Sequence, residues 1–532
     1  MSLAALTSTM NNVQLQETRS SVLSPSVAPS AINSLLLPEL LALAIEIYVS
    51  DFHESFHSPL RRPCMVPFYA WIRVTHVCHY WREVALATPR IWRHVALLRE
   101  PCLREMLARS KQASLTVYAM FIYKDELWQF TKMLNSVLAE THRIKQIEID
   151  MRELELASTF ADTPAPQLRS ATVYGRGSYS LPLPAWFQVP ALETLSLSTL
   201  TAKDVLPLLR PSLKSLALTS VGSMNCMMTI SDLRDALQRT PLLRRLRLTD
   251  AVKGVAMPTG IYNGCLPSSM RISLHQLEDI SIIGHSNGFS AISLLSSFIL
   301  PSHIDFCLIF YDLYYLDTAG PILDCINQNV VEGVRNPFHS IHVSAYRGGR
   351  FQFTAESPLP TERKLLGDRV SAKLTVGFSM YANDAEEWLQ YLFRTLPCSD
   401  VLKITVGDFI TFSADIWRTS FGSATRLETL QVIEQASVTV PEVLFSDESN
   451  ESNEPITIIF PSLRHLILWR CRFNVEEPTI YLDRLIAALQ RRRESGFKLE
   501  ELTLRQCSCV NEELVERLSG VVESVHWDAV KL

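Results

Sequence analysis

His76, Cys78 and His79 form the densest group of metal-ligating side chains in the 532-residue chain, with His57 and Cys64 shortly upstream. Such groups bind zinc when two ligand pairs come from separate elements at short spacing. Here the histidines are three residues apart, on neighbouring parts of one helical face if the segment is a helix, while Cys78 points elsewhere. No second pair stands at a suitable distance. The reading that follows is a pair of histidines on a partly exposed helix, with no metal and no cofactor.

Nucleophilic chemistry has little more to work with. Cys398, in TLPCSD, is the loop cysteine that thioester chemistry would use, and Cys507 is a second thiol of interest. Activation to a thiolate needs a basic neighbourhood, which is not evident around Cys398. The spacing of Cys507 and Cys509 is too tight for a zinc knuckle. No G-x-S-x-G, Gly-rich phosphate loop or zinc-protease helix is present. The chain therefore reads as non-catalytic, against the alternative of an unrecognised hydrolase or cysteine-based transferase. The run Arg491–Glu494 falls at the end of a predicted helix, where the helix dipole accounts for its basic charge.

Composition narrows the partners. A net charge of −5 gives no electrostatic case for nucleic acid. Eleven cysteines, an odd and scattered set, fit reduced thiols in the cytoplasm or nucleus. The N-terminus lacks a secretory signal, and the most apolar stretch, Ala291–Leu300, is too short to span a bilayer.

The elements that must carry these residues change along the chain. Residues 1–31 are rich in Ser, Thr, Ala and Asn and read as a disordered tail. Residues 32–98 read as a small helical module. Leu36, Leu40, Leu41, Ile45 and Tyr48 recur at helical spacing behind Pro38, an insertion spans 51–67, and a second helix runs from Tyr69 to Ala87, ended by Thr88-Pro89. Trp71, Trp81 and Trp92 give this module more apolar surface than so small a bundle can hide, so some of it must meet another surface.

From 99 to 532 the pattern becomes apolar-x-x-apolar-x-apolar. PALETLSL (Leu192, Leu195, Leu197), PSLKSLAL (Leu213, Leu216, Leu218), PLLRRLRL (Leu243, Leu246, Leu248), PSLRHLIL (Leu463, Leu466, Leu468) and KLEELTL (Leu499, Leu502, Leu504) are the clearest copies. The last two apolar positions share one face of a short strand, and the first tucks under the turn that enters it. Helical stretches lie between: SDLRDALQRT with Ser231 as N-cap, AEEWLQYLF with Trp388 and Leu392 together, and YLDRLIAALQRRRESG ending at Gly496. Strand, turn and helix repeating about every 20–36 residues is the mark of a leucine-rich-repeat-like solenoid, of class α/β with parallel strands. Residues Pro301–Val376 match it poorly apart from FHSIHV, and an acidic loop, Ser446–Pro455, interrupts a late repeat.

LLLPELLALAI followed by VTHVCHYWREVALATPRIW resembles the F-box, especially its fungal form. Val77-Cys78-x-x-Trp81 is similar to the family's V-C-x-x-W, and Ile91-Trp92 to its closing apolar-Trp pair. The resemblance implies a module that docks on the Skp-type adaptor of a cullin–RING ubiquitin ligase (SCF), while the repeats capture a protein substrate. Carried over by position, it implies that Leu36, Pro38, Leu40, Leu41, Ile45, Val77, Cys78 and Trp81 form or support the adaptor-facing apolar surface. Ile91 and Trp92 would close the module, and Trp81 would be a binding hot spot. A scaffolding protein that uses the same module without ubiquitylation is the alternative.

Overall fold

The computed structural model describes residues 36–54, 68–119, 127–150, 164–174, 191–199, 205–220, 228–253, 271–284, 294–301, 304–311, 320, 322–324, 326–327, 338–346, 350–358, 371–379, 385–396, 398–407, 412–444, 458–471 and 478–530. The chain forms two compact units, Met1–Leu115 and Thr116–Leu532. The first unit thus includes one more helix beyond residue 98. The expected tail at 1–31 and the acidic loop at Ser446–Pro455 lie outside the described residues.

In the first unit, α1 spans Pro38–Glu54 and α2 His79–Ala87, followed by β1 (His94–Ala96) and α3 (Glu100–Ser110). Pro38 opens α1, where its missing N–H costs nothing. The helix runs on through Asp51–Glu54, so the first four residues of the expected insertion are helical, and residues 55–67 are outside the described set. The helix expected over Tyr69–Ala87 is two pieces. Ala70–His76 is a 3-10 turn, and Cys78 is extended, acting as N-cap of α2. Two bonds fix the break: the Val77 amide donates to Val74 O (3.5 Å), and Arg82 Nε donates to Thr75 O (3.0 Å).

After β2 (Leu115–Ala119), the second unit is mixed α/β, a large and mostly parallel sheet alternating with helices. Its strands are β3 (Ile144–Asp150), β4 (Ser170–Tyr174), β5 (Thr194–Ser198), β6 (Ser215–Thr219), β7 (Arg245–Thr249), β9 (Asp279–Gly284), β11 (Asp305–Phe310), β12 (Ser340–Tyr346), β13 (Arg350–Pro358), β14 (Ser371–Ser379), β15 (Lys403–Gly407), β16 (Thr429–Ile433), β17 (His465–Trp469), β18 (Glu501–Arg505) and β19 (Ser524–Trp527). A separate parallel pair joins β8 (Ile272–Ser273) to β10 (Phe298–Ile299). Helices α4 (Leu127–Leu138), α5 (Ile230–Gln238), α6 (Ala385–Thr395), α7 (Val440–Leu444), α8 (Pro478–Glu494) and α9 (Glu512–Ser519) intervene.

Register explains the sequence pattern. Leu195, Leu216, Leu246 and Ile280 pair in one row, and Leu197, Leu218, Leu248 and Ile282 in the next, all buried. Leu192, Leu213 and Leu243, three residues ahead of each strand, are buried too. The same two rows recur from Leu430 through Leu466 to Leu502 and from Val432 through Leu468 to Leu504. Each strand entrance is tied to the one before: the Arg244 amide donates to Lys214 O, and the Glu278 amide to Arg244 O, both at 2.7 Å. Several strands leave through one left-handed residue, at Thr199, Asp250, Glu434, Arg470 and Gln506 (φ 48 to 57°).

The region that fitted the pattern poorly is where the order changes. β11 pairs in parallel with β14, β14 and β13 are antiparallel, β13 and β12 are antiparallel, and β12 pairs in parallel with β15. One strand, β13, therefore runs against the rest. Phe351, Phe353 and Ala355 keep its inward face apolar, and Phe353 meets Phe393 of α6 edge to face at 6.0 Å.

Two helix ends differ from expectation. The N-cap of α5 is Thr229, whose side chain accepts from the Asp232 amide while the Asp232 carboxylate accepts from the Thr229 amide. Ser231 is inside the helix. In α8, Arg492 is buried, donating to Ile459 O (2.9 Å) and Phe460 O, and burial lowers its pKa to about 10. The middle arginine of Arg491–Glu494 is a structural clamp rather than part of a solvated basic run.

Candidate protein-docking face

Helix α1 is apolar on two faces. Leu41, Ile45, Val49 and His53, four residues apart in series, are buried. Leu37, Leu40, Leu43, Ile47 and Tyr48 form a second stripe that is about half exposed or more, with Leu37 at 61% and Leu40 at 53%. A third, polar side carries Glu46 and Ser50, which Arg93 holds at 3.4 and 3.0 Å. A helix with one buried stripe and one polar side is ordinary; an additional exposed apolar stripe marks a place for a second surface.

Val77, at the break before α2, is 60% exposed, and Cys78, Tyr80 and Trp81 are half-buried. The Tyr80 hydroxyl donates to Leu36 O (2.6 Å), fastening the start of α2 to the start of α1. Leu36 is half-buried and Pro38 exposed. Of the residues assigned by resemblance, Leu40, Pro38 and Val77 thus lie open, while Leu36, Cys78 and Trp81 are partly covered. Leu41 and Ile45 face inward, so they can only support a docking face, not touch a partner. The single helical series Leu36, Leu40, Leu41, Ile45 and Tyr48 is divided between the two faces of α1.

The tryptophans sort differently from the expectation of surplus aromatic surface. Trp71 and Trp92 are fully buried, edge to face at 5.2 Å. Trp92 Nε1 donates to Ala85 O (2.9 Å), and the Arg109 guanidinium lies 4.3 Å from the Trp92 ring centroid. Ile91 is buried beside them. The Tyr69 hydroxyl both donates to Ala96 O (3.1 Å) and accepts from its amide (2.9 Å); burial pushes its pKa far up. The uncovered apolar surface is mainly aliphatic, Leu37, Leu40, Leu43, Ile47 and Val77, with Tyr48 beside them. Leu37, Leu43 and Ile47 were not singled out from sequence, although they extend Leu40 at spacings of three and seven.

Groups considered for chemistry are placed otherwise. His76 ends the 3-10 turn and His79 begins α2, so they do not share a helix; His79 lies 3.5 Å from Glu83. Among the described residues no three His, Cys, Asp or Glu side chains are grouped to hold a metal ion. Cys398 is buried, and desolvation pushes its thiol up to about 12, the opposite of activation. Cys471 and Cys507 occupy equivalent positions after β17 and β18 and are both buried. Their mutual hydrogen bond raises Cys471 and lowers Cys507, and Cys507 also donates to Leu468 O at 3.3 Å.

Among the described residues no helix is long and apolar enough to cross a membrane. No known protein family matches the chain, and no curated protein matches it.

Proposed function

We propose that the protein is a substrate receptor of an SCF-type cullin–RING ubiquitin ligase. Its first unit acts as an F-box on a Skp-type adaptor, and its second unit, a leucine-rich-repeat-like solenoid, holds a protein substrate. The observation that supports this reading most is the second apolar stripe of α1, Leu37, Leu40, Leu43 and Ile47, exposed next to Val77. The in-register rows of leucine in the sheet support the repeat class. The chain would be non-catalytic, working in the cytoplasm or nucleus by holding a bound protein near the conjugating enzyme and raising its effective concentration.

Docking would bury the Leu40–Ile47 stripe under a helix of the adaptor, with Val77 and the open edge of Trp81 at one side. Truncating a buried anchor costs on the order of 2 kcal/mol or more. Co-purification of the tagged chain with adaptor and cullin tests the reading. Leu40→Ala with Val77→Ala is expected to lose both proteins, and unchanged recovery of the adaptor would refute it. Recovery of adaptor without cullin would favour the scaffolding alternative.

A further inference from the structure

Arg245 and Arg247 are two residues apart on β7, so they leave the same side of the sheet about 7 Å apart. Both are exposed. Arg247 reaches Asp279 only at 3.9 Å, and the Arg245 side chain makes no hydrogen bond or ion pair among the described residues. Other arginines of the array are engaged: Arg169 with Glu193 at 2.9 Å, Arg426 with Asp400 at 2.9 Å, Arg464 with Glu500 at 3.3 Å.

The surroundings of the pair are asymmetric. On one side β9 and β11 present Asp279 and Asp305 in the same row as Arg245. On the other side β6 presents Ser215, Ala217 and Thr219, and β5 presents Thr194, Ser196 and Ser198, without a single charge. An anion approaching the arginines is repelled from the β9 side and meets short hydroxyl side chains on the β5 side. Those side chains can donate hydrogen bonds and are small enough to admit a backbone. Guanidinium groups bind carboxylates through paired N–H donors, so the chemistry matched is carboxylate in an extended chain.

We infer that the open face of β5–β7 docks an acidic segment of a partner protein, its carboxylates on Arg245 and Arg247. This inference rests on the receptor reading of the array and specifies the kind of segment it takes. The segment crosses from β7 toward β5, and binding weakens with salt because both arginines are solvent-exposed.

The test is an array of 15-residue peptides graded from acidic through neutral to basic, probed with the full chain. Selective retention of the acidic members is expected. Arg245→Glu with Arg247→Glu should cut that retention at least tenfold. Arg484→Glu with Arg517→Glu, the same charge change on α8 and α9, should leave it intact. Absence of acidic preference, or its survival in the β7 variant, or equal loss in the helix variant, would overturn the inference. Adaptor recovery measured on the β7 variant separates this outcome from failure of the docking-module reading.

Discussion

Leu40 and Leu41 are consecutive in α1 and face opposite environments: the side chain of Leu41 is 1% exposed, that of Leu40 53%. One holds the first unit together and the other is available to a second molecule. Substitution should separate the two roles. Leu41→Ala is expected to cost about 2–5 kcal/mol of unfolding free energy, through lost burial and a cavity. Leu40→Ala is expected to stay within about 0.5 kcal/mol of wild type. Urea denaturation followed by tryptophan fluorescence measures both, and equal destabilisation would show that the stripe is not free.

Trp92 combines three contacts in one side chain: the Trp71 ring, the Ala85 carbonyl and the Arg109 guanidinium. Trp92→Ala should therefore destabilise by about 3–5 kcal/mol. Trp92→Phe retains an aromatic ring but removes the indole donor to Ala85 O, which keeps the Thr88 amide (3.3 Å), at a cost of about 0.5–1.5 kcal/mol. If both variants melt like wild type, the first unit is not organised around this residue.

Thr229 and Ser231 offer a direct test of helix capping. The reciprocal bonds of Thr229 and Asp232 predict that Thr229→Ala costs about 1 kcal/mol, within the range of about 0.5–2 seen for lost caps. Ser231→Ala, inside the helix, should be neutral or slightly stabilising, since alanine is the better helix former. Thermal denaturation of the two variants should rank them in that order.

Cys398 should be silent toward thiol reagents in the native protein at pH 8, while Cys102 and Cys509, both exposed, react. Mass mapping after brief iodoacetamide treatment checks this. The pH dependence follows from the same burial. The folded thiol titrates at about 12, above its ordinary value of 9.0, so the folded state holds the proton more tightly. The contribution is complete below pH 9.0 and is lost as pH rises from there through about 12. Cys398→Val should accordingly lose less stability between pH 8 and pH 11 than wild type does.

Arg492 should resist replacement by an unbranched apolar residue. Arg492→Met removes the buried donors to Ile459 O and Phe460 O, of which Phe460 O keeps the Leu463 amide (3.1 Å). Part of that penalty is offset because a desolvated cation is removed as well, giving a net loss of about 1–3 kcal/mol. Arg491→Met and Arg493→Met, at exposed positions, should each change stability by less than about 0.5 kcal/mol.

Much of the array could be read in advance because its signal is steric and local. Leucine at alternate strand positions, with another three residues ahead, leaves few options for Leu213, Leu216 and Leu218 besides a strand entered through a turn. Other features had no such signature. The left-handed exits at Thr199, Arg470 and Gln506 use no glycine. β4 carries Ala171 and Val173 in place of leucines and escaped notice, although Leu168 stands three residues ahead. In α1 the spacing revealed apolar residues but could not say which of two apolar sides turns inward, because that depends on what α2 and the turn before it cover. The break at Cys78 was hidden for a related reason: the Val77 amide on Val74 O and the Arg82 side chain on Thr75 O fix it, contacts that periodicity does not encode.

The antiparallel strand β13 also bears on how the second unit assembles. Elsewhere a strand can dock on the one just made, so growth is stepwise along the chain. β11 finds its next neighbour in β14, after β12 and β13 have been synthesised, and β12 must wait for β15. A nascent chain ending before Ser371 would carry an unpaired ladder edge on β11, open to wrong partners. The slowest step of refolding, and the point where truncated chains begin to aggregate, should fall at this seam rather than at either end of the array.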